Sequence, residues 1–243
     1  MLGQGQGSLT SAFPCTFQLI DDTALPAEKR PSPVEYAAWV KEKLASLLPG
    51  EKAILRFRRP QPTAAFSPQD TTHQDYERIK RMAWANGFVP VERGTGGRLT
   101  MFDEHALAIT IIWPHPEPHQ HTIKRYEIFS GIIAGALAKL GIGARVGELP
   151  NEYCPGRFSI NADGRVKLVG IAQRMNRRCF QMGAIIAIER SDKACAAIVD
   201  AYRAMELPFD PKTYGAINEL LPSISDNKVC DVLRQAVVSG LTF

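Results

Sequence analysis

Cys154 stands in the segment Glu152-Tyr153-Cys154-Pro155-Gly156, and Lys167 follows it thirteen positions later in a strand-like run ending at Gln173. A thiol is the most intrinsically nucleophilic of the uncharged side chains, and a nearby cation raises its thiolate fraction. Pro155 biases the residue before it away from helical torsions and Gly156 frees the next peptide, so the spacing predicts a thiol projecting from an extended corner. Such a corner is open to an incoming acyl group. Cys179, Cys195 and Cys230 fall instead in an apolar strand or in amphipathic helices and read as small buried hydrophobes. Lys167 interrupts an apolar strand. Strict alternation puts Lys167, Val169 and Ile171 on one face and Val166, Leu168 and Gly170 on the other, which leaves the lysine facing either solvent or a pocket. The apolar flanks imply cover on both faces, and in a pocket the lysine could stabilise a thiolate and a developing oxyanion.

Other stretches narrow the chemistry. Arg93-Gly94-Thr95-Gly96-Gly97-Arg98 joins two expected strands, and its paired glycines let backbone N–H groups approach a carbonyl or phosphate closely. It is no P-loop, since no Gly-Lys-Ser/Thr follows. His115, His119 and His121 lie near Glu117, but the alternating prolines around them describe an extended surface loop rather than a tetrahedral cage, so no metal is expected. Five cysteines without a C-x-x-C pair suggest neither a disulfide framework nor a zinc site. A net charge of +4, from 29 basic and 25 acidic residues with no long Lys/Arg run, argues against a nucleic-acid surface. No run approaches the ~18 apolar residues of a membrane span. The first residues lack a basic, then apolar, signal pattern, so a soluble cytoplasmic protein is expected.

The elements that must position these residues can be read in order. Residues 1–16 are mostly polar and Gly/Gln/Ser-rich and are expected to be flexible; residues 17–243 form the expected domain. Ser32, Pro33 and Glu35 form a helix start, predicting a helix over 34–48. Strands are expected at 53–57 and 63–66, and a helix from 72 that ends in a Gly87 cap. FVPVE leads into the Gly-Gly loop, and ALAITIIW reads as a strand covered on both faces. A helix over 123–140 follows, with Ile132, Ile133, Ala136, Leu137 and Leu140 inward. Strands are expected at 145–149, at 158–160, at 165–173 and from 181, with residues 161–164 as a turn. Beyond Ser191 the pattern predicts three amphipathic helical pieces. The fold class is therefore α/β, one domain with a mixed sheet flanked by helices.

In this order, Arg93-Gly-Thr95-Gly96-Gly97, Glu152-Tyr153-Cys154-Pro155-Gly156 and Lys167-x-x-Gly170-Ile171-x-Gln173-Arg174 resemble the biotin/lipoate protein ligase superfamily, most closely its cysteine-dependent octanoyltransferase and lipoyl amidotransferase branch. The similarity runs from about Phe17 to the C-terminus. It implies a ligase-like catalytic domain with a tunnel for a medium-length acyl chain, an acylated nucleophile at Cys154 and a Lys167 that binds the acyl carbonyl. It also implies that Arg93, Thr95, Gly96, Gly97, Val169, Gly170, Ile171 and Gln173 line the substrate pocket. The implied reaction moves an octanoyl or lipoyl group from an acyl carrier protein or glycine-cleavage H protein to a lysine of a lipoyl domain, as in 2-oxoacid dehydrogenases, with no cofactor. The alternatives are an ATP-dependent lipoate-protein ligase and a non-catalytic acyl- or carrier-binding paralogue. The sequence departs from the family at Arg98, where ligases carry a small residue, and at Ala108, where a polar residue is common. An outward Arg98 is expected to meet an acidic carrier.

Overall fold

The computed structural model describes residues 16–241. The flexible reading of the N-terminal segment lies outside the described residues for 1–15. The first strand, β1 (Phe17–Asp22), leads to α1 (Pro33–Ser46), where the Ser32 hydroxyl accepts from the Glu35 N–H and the Glu35 carboxylate accepts from the Ser32 N–H. This reciprocal cap fixes the start of the helix at the proline, as the sequence predicts. Strands β2 (Ala53–Arg58) and β3 (Thr63–Phe66) follow, then a single turn α2 (Pro68–Thr71), α3 (Tyr76–Ala85), β4 (Val89–Glu92), β5 (Thr100–Phe102) and the long β6 (Ala106–Pro114). Helix α4 (Thr122–Lys139) leads to β7 (Ala144–Val146), β8 (Ile160–Ala162), β9 (Val166–Met175) and β10 (Cys179–Ala187). The chain closes with α5 (Asp192–Ala204), the short α6 (Ile217–Leu220) and α7 (Asp226–Leu241). The three helical pieces expected after Ser191 are present. Residues 205–216, however, form a connection that carries one 3-10 turn and an isolated bridge between Tyr214 and Lys167.

The strands form two sheets rather than the single one expected. Among the described residues, the larger has seven strands in the order β1-β2-β6-β10-β9-β8-β7, and the smaller has three in the order β4-β3-β5. Each is mixed: β1 runs parallel to β2 and β3 parallel to β4, and the other pairings are antiparallel. The sequence hid this split because β5 is only three residues long, too short to show a period of two.

The two faces of the large sheet differ in kind. Leu55, Phe57, Ile109, Ile111, Met182 and Ile186 build one core with Phe129 and Ile133 of α4 and Leu233 and Val237 of α7. The alternate residues, Arg58, Ala108, Thr110, Gly183, Gly170 and Ala172, line a cavity that is also lined by Val34 and Tyr36 of α1. Most of these are small, so the floor of the sheet leaves space instead of filling it. A second core joins Phe66 and Met101 of the small sheet, and Leu99 just before β5, to Ile79 of α3 and to Ile198 and Tyr202 of α5. Each sheet thus has its own apolar packing, and Cys154 and the cavity have residues of both sheets around them.

One irregularity matters for the site. Lys167 of β9 pairs with Asn161 of β8 while Val169 pairs with Ile160, so β9 carries Leu168 as an extra residue and the register steps. A bulge of this sort resets the alternation. Leu168 and Val169 both enter the core, and Lys167 comes round to the side of Gly170, where an added Cβ would lie 3.8 Å from Lys167 Cε. The strict alternation that grouped Lys167 with Val169 is therefore corrected.

Candidate active site

Cys154 lies on the loop between β7 and β8 with φ of 44°, in the left-handed region rather than the extended corner predicted from Pro155. For a residue other than glycine that conformation costs of order 1–3 kcal/mol and persists only where the surroundings hold it. Here both polar groups of its backbone are held. Its N–H donates to the Tyr202 hydroxyl at 2.6 Å, and its carbonyl accepts from Lys167 Nζ at 2.7 Å. The Tyr202 hydroxyl in turn donates to the Leu99 carbonyl at 2.9 Å. Tyr202 is buried, and that burial pushes its phenol well above the usual range, so the O–H that completes this relay stays protonated.

The sulfur faces the Gly-Gly loop. The Arg98 N–H donates to Sγ at 3.3 Å and Arg93 Nη2 donates to it at 3.6 Å. Arg93 is itself fixed by Nη2 on the Arg98 carbonyl at 2.7 Å and Nη1 on the Thr95 hydroxyl at 3.3 Å. Two donors, one of them cationic, thus fix the direction in which the sulfur points. Gly97 has φ of 99°, and a Cβ there would come within 2.8 Å of Sγ, so this contact exists only because the residue has no side chain.

Lys167 is buried and saturated. Its ammonium donates to Glu152 Oε1 and the Tyr153 carbonyl, both at 2.9 Å, as well as to the Cys154 carbonyl. An ammonium has three N–H donors, and these partners use all of them. Glu152 is equally enclosed: Oε1 also accepts from the Ser159 hydroxyl at 2.6 Å and Oε2 accepts from the Leu149 N–H at 3.0 Å. To bind an acyl carbonyl, Lys167 would have to release a backbone carbonyl of the Cys154 loop. In this geometry it positions that loop.

The cavity beside the sulfur has a volume of about 810 Å³. Of the expected pocket residues, Arg93, Thr95, Gly96, Gly97, Gly170 and Ile171 line it together with Cys154 and Lys167. Val169 and Gln173 are not in its lining. The bulge sends Val169 into the core, and Gln173 ties α4 to β9 through Arg125 Nε at 3.2 Å and the Thr122 carbonyl at 2.8 Å. Arg98 does not reach outward toward a carrier either. Its side chain is largely covered and its Nε lies 3.5 Å from the buried Asp70 carboxylate. His115 and His121 keep to the loop before α4, where His115 Nδ1 accepts from the Glu117 N–H at 3.0 Å.

Residues 35–238 match the family model of the lipoyl protein ligase A/B catalytic domain. The chain belongs to that family. Among curated members, it is 27% identical over 179 residues to the octanoyl-[GcvH]:protein N-octanoyltransferase of Exiguobacterium sp. strain ATCC BAA-1283 / AT1b, covering 70% of this chain and 63% of that protein. It is 26% identical over 138 residues to the enzyme of the same name from Geobacillus kaustophilus, covering 57% and 48%. A lipoyl-[GcvH]:protein N-lipoyltransferase from Listeria monocytogenes matches at 24% over 127 residues, 52% of this chain and 45% of that one. The matched stretches thus span between about half and two thirds of these relatives' lengths. In fold, the chain resembles a crystal structure of lipoate-protein ligase A bound with ATP (TM-score 0.69, 18% identity, 93% of this chain and 85% of that one). It also resembles the bipartite lipoate protein ligase of Thermoplasma acidophilum (TM-score 0.68, 16% identity, 93% and 84%).

Within this lipoyl-ligase fold, several groups that the site depends on are invisible to sequence reasoning. Tyr202 lies 48 positions beyond Cys154 on α5, in a stretch that reads only as amphipathic helix. Glu152 is quoted with the cysteine motif, yet nothing local says that it pairs with a lysine 15 residues on. Arg58 of β2 also lines the cavity, hidden in an apparently ordinary Arg-Arg-Pro strand end.

Proposed function

We propose that the protein is an acyltransferase of lipoate metabolism that carries a medium-chain acyl group as a thioester on Cys154. The observation that carries this reading is the Cys154 sulfur, which borders a cavity of about 810 Å³ and accepts from the Arg98 N–H and the Arg93 guanidinium. The sulfur attacks the carbonyl carbon of a donor thioester; a C–S bond forms, the donor's C–S bond breaks, and the thiol proton leaves with the donor sulfur. One thioester replaces another at little cost in free energy. The amine of an acceptor lysine then attacks the Cys154 thioester, an amide forms, and the cysteine recovers its proton. Arg93 supplies positive charge beside the reacting atoms, where charge develops on the attacked carbonyl. Lys167 and Tyr202 hold the nucleophile's backbone, and Gly97 leaves room for the sulfur.

The names of the relatives favour octanoyl or lipoyl as the acyl group and glycine-cleavage H protein as donor; lipoyl domains are the acceptors of this proposal. An acyl carrier protein is the alternative donor. Intact-protein mass spectrometry after incubation with octanoyl-H protein, and separately with octanoyl-acyl carrier protein, tests both. The expected result is one octanoyl adduct that persists when Cys179, Cys195 and Cys230 are replaced and vanishes in Cys154→Ser. Adduct-free protein that releases pyrophosphate from ATP in the presence of lipoate would replace this reading with the ligase.

A further inference from the structure

Arg58 ends β2 with its side chain turned to the cavity, and only 5% of the residue is exposed. Its guanidinium carbon lies 3.6 Å from the centre of the Tyr36 ring, and its Nε has no hydrogen-bond partner. Among the described residues it forms no ion pair. Asp22, a carboxylate whose charge reaches it, is committed to Arg56 Nε at 2.6 Å. Burial pulls the guanidinium below its usual pKa, the response of a cation short of compensation. A buried charge without a counter-charge is costly and is retained where a ligand supplies one.

Its place in the sheet says which part of a ligand that is. Arg58 pairs with Ala108, Ala108 with Ile185, and Ile185 with Gly170, the residue beside Lys167. Three strand spacings of about 4.8 Å put Arg58 roughly 14 Å from Gly170 across the cavity floor. An acyl group on Cys154 would therefore meet Arg58 at its far end, past Gly170 and Ala108. We infer that Arg58 makes this cavity selective for an acyl chain that ends in an anionic group, with a terminal carboxylate as the matching chemistry. A guanidinium holds a carboxylate through two parallel hydrogen bonds, and the adjoining Tyr36–Thr110 hydroxyl pair, 2.5 Å apart, adds polar partners at the same end. A methyl end would leave the charge unpaired. The inference rests on the proposed acyl transfer and refines its acyl group: a chain ending in a carboxylate is preferred, and the octanoyl group in the relatives' names enters the same cavity as the more weakly held chain.

The test is calorimetric binding of octanoate, octanedioate and inorganic phosphate to the 243-residue chain carrying Cys154→Ser, beside the same chain with Arg58→Met. The two acids differ only at the far end. Octanedioate is expected to bind at least about tenfold more tightly than octanoate, in line with one charge-assisted hydrogen-bonded pair. In Arg58→Met that preference should vanish while octanoate binding is kept or improved. Equal or reversed preference in the Arg58 protein, absence of binding included, would overturn the inference without relying on the variant's folding. Phosphate binding that requires Arg58, with no preference for the diacid, would assign the arginine to a phosphate and overturn the terminal carboxylate. Failure of Cys154 acylation in the mass-spectrometric experiment would leave a measured diacid preference standing and remove only the thioester.

Discussion

Two glycines one position apart in the Arg93–Arg98 loop have different tasks. A Cβ on Gly97 would press on the Cys154 sulfur and on Arg93 Nη2, whereas one on Gly96 would meet nothing within 4 Å. Gly97→Ala should therefore lower the rate of Cys154 acylation by at least about a hundredfold, while Gly96→Ala leaves folding intact, as read by mass spectrometry and thermal unfolding; order-of-magnitude losses follow from displacing reacting atoms by about 1 Å. Tyr202→Phe removes a single oxygen, the one that accepts from the Cys154 N–H and donates to Leu99. The loss should cost about 1–3 kcal/mol of stability in urea denaturation, because a buried donor and acceptor lose their partner. It should also slow acylation more than a distant substitution of equal destabilisation, since the left-handed turn at Cys154 is freed to relax.

At the scale of elements, the pairing of β9 with the nucleophile loop makes a second forecast. Lys167→Met should leave the Glu152 carboxylate buried beside only the Ser159 hydroxyl and the Leu149 N–H, at a cost of roughly 3–5 kcal/mol. Combining it with Glu152→Leu should recover part of that stability but not Cys154 acylation, because the Tyr153 and Cys154 carbonyls still lack their donor. Equal recovery of both would show that Lys167 acts through charge balance alone. Much of the element pattern was legible in advance. The Ser32-Pro33-Glu35 cap, the Gly87 end of α3 and the continuous apolar run of β6 each follow from local chemistry, and each stands where expected. What stayed hidden depends on contacts distant in sequence. The bulge at Leu168 is set by pairing with β8, so alternation alone put Val169 on the wrong side. Cys154 adopts a left-handed rather than an extended backbone because Tyr202 and Lys167, brought in by α5 and β9, grip it from both ends. The site residues that could be named from the sequence are those on contiguous motifs; their supports come from elsewhere in the chain.

For the whole molecule, the pH dependence of stability should carry a signature far from the cysteine. His105, just before β6, lies 2.6 Å from Glu189, beyond the end of β10, with Asp103, Glu104, Arg59 and Asp226 nearby. Burial works against charging His105, but the Glu189 hydrogen bond and the surrounding carboxylates outweigh it and raise its pKa. A hydrogen bond with Asp226 and, after it, the one from His105 hold Glu189 below its usual range. A raised histidine stabilises fully below its unfolded value of 6.5 and loses that contribution as pH rises through the folded value. A lowered glutamate stabilises above 4.5 and loses its contribution as pH falls. Unfolding free energy should therefore decline from about pH 6 to pH 8, by an amount moderated by the exposure of both groups, and His105→Gln should flatten that slope.

No described helix is long and apolar enough to cross a membrane. The Cys154 peptide units bridge the cores of the two sheets: the N–H is tied to Tyr202 in the small-sheet core and the carbonyl to Lys167 on β9 of the large sheet. Any breathing that parts the sheets must stretch one of these two bonds, and it must do so at the residue proposed to carry the acyl group. The lifetime of a loaded cysteine against water is then coupled to the rigidity of the seam. A chain that relaxes there would lose its cargo by hydrolysis before a lysine arrives, so timekeeping for the proposed transfer resides in the same two hydrogen bonds that shape the nucleophile.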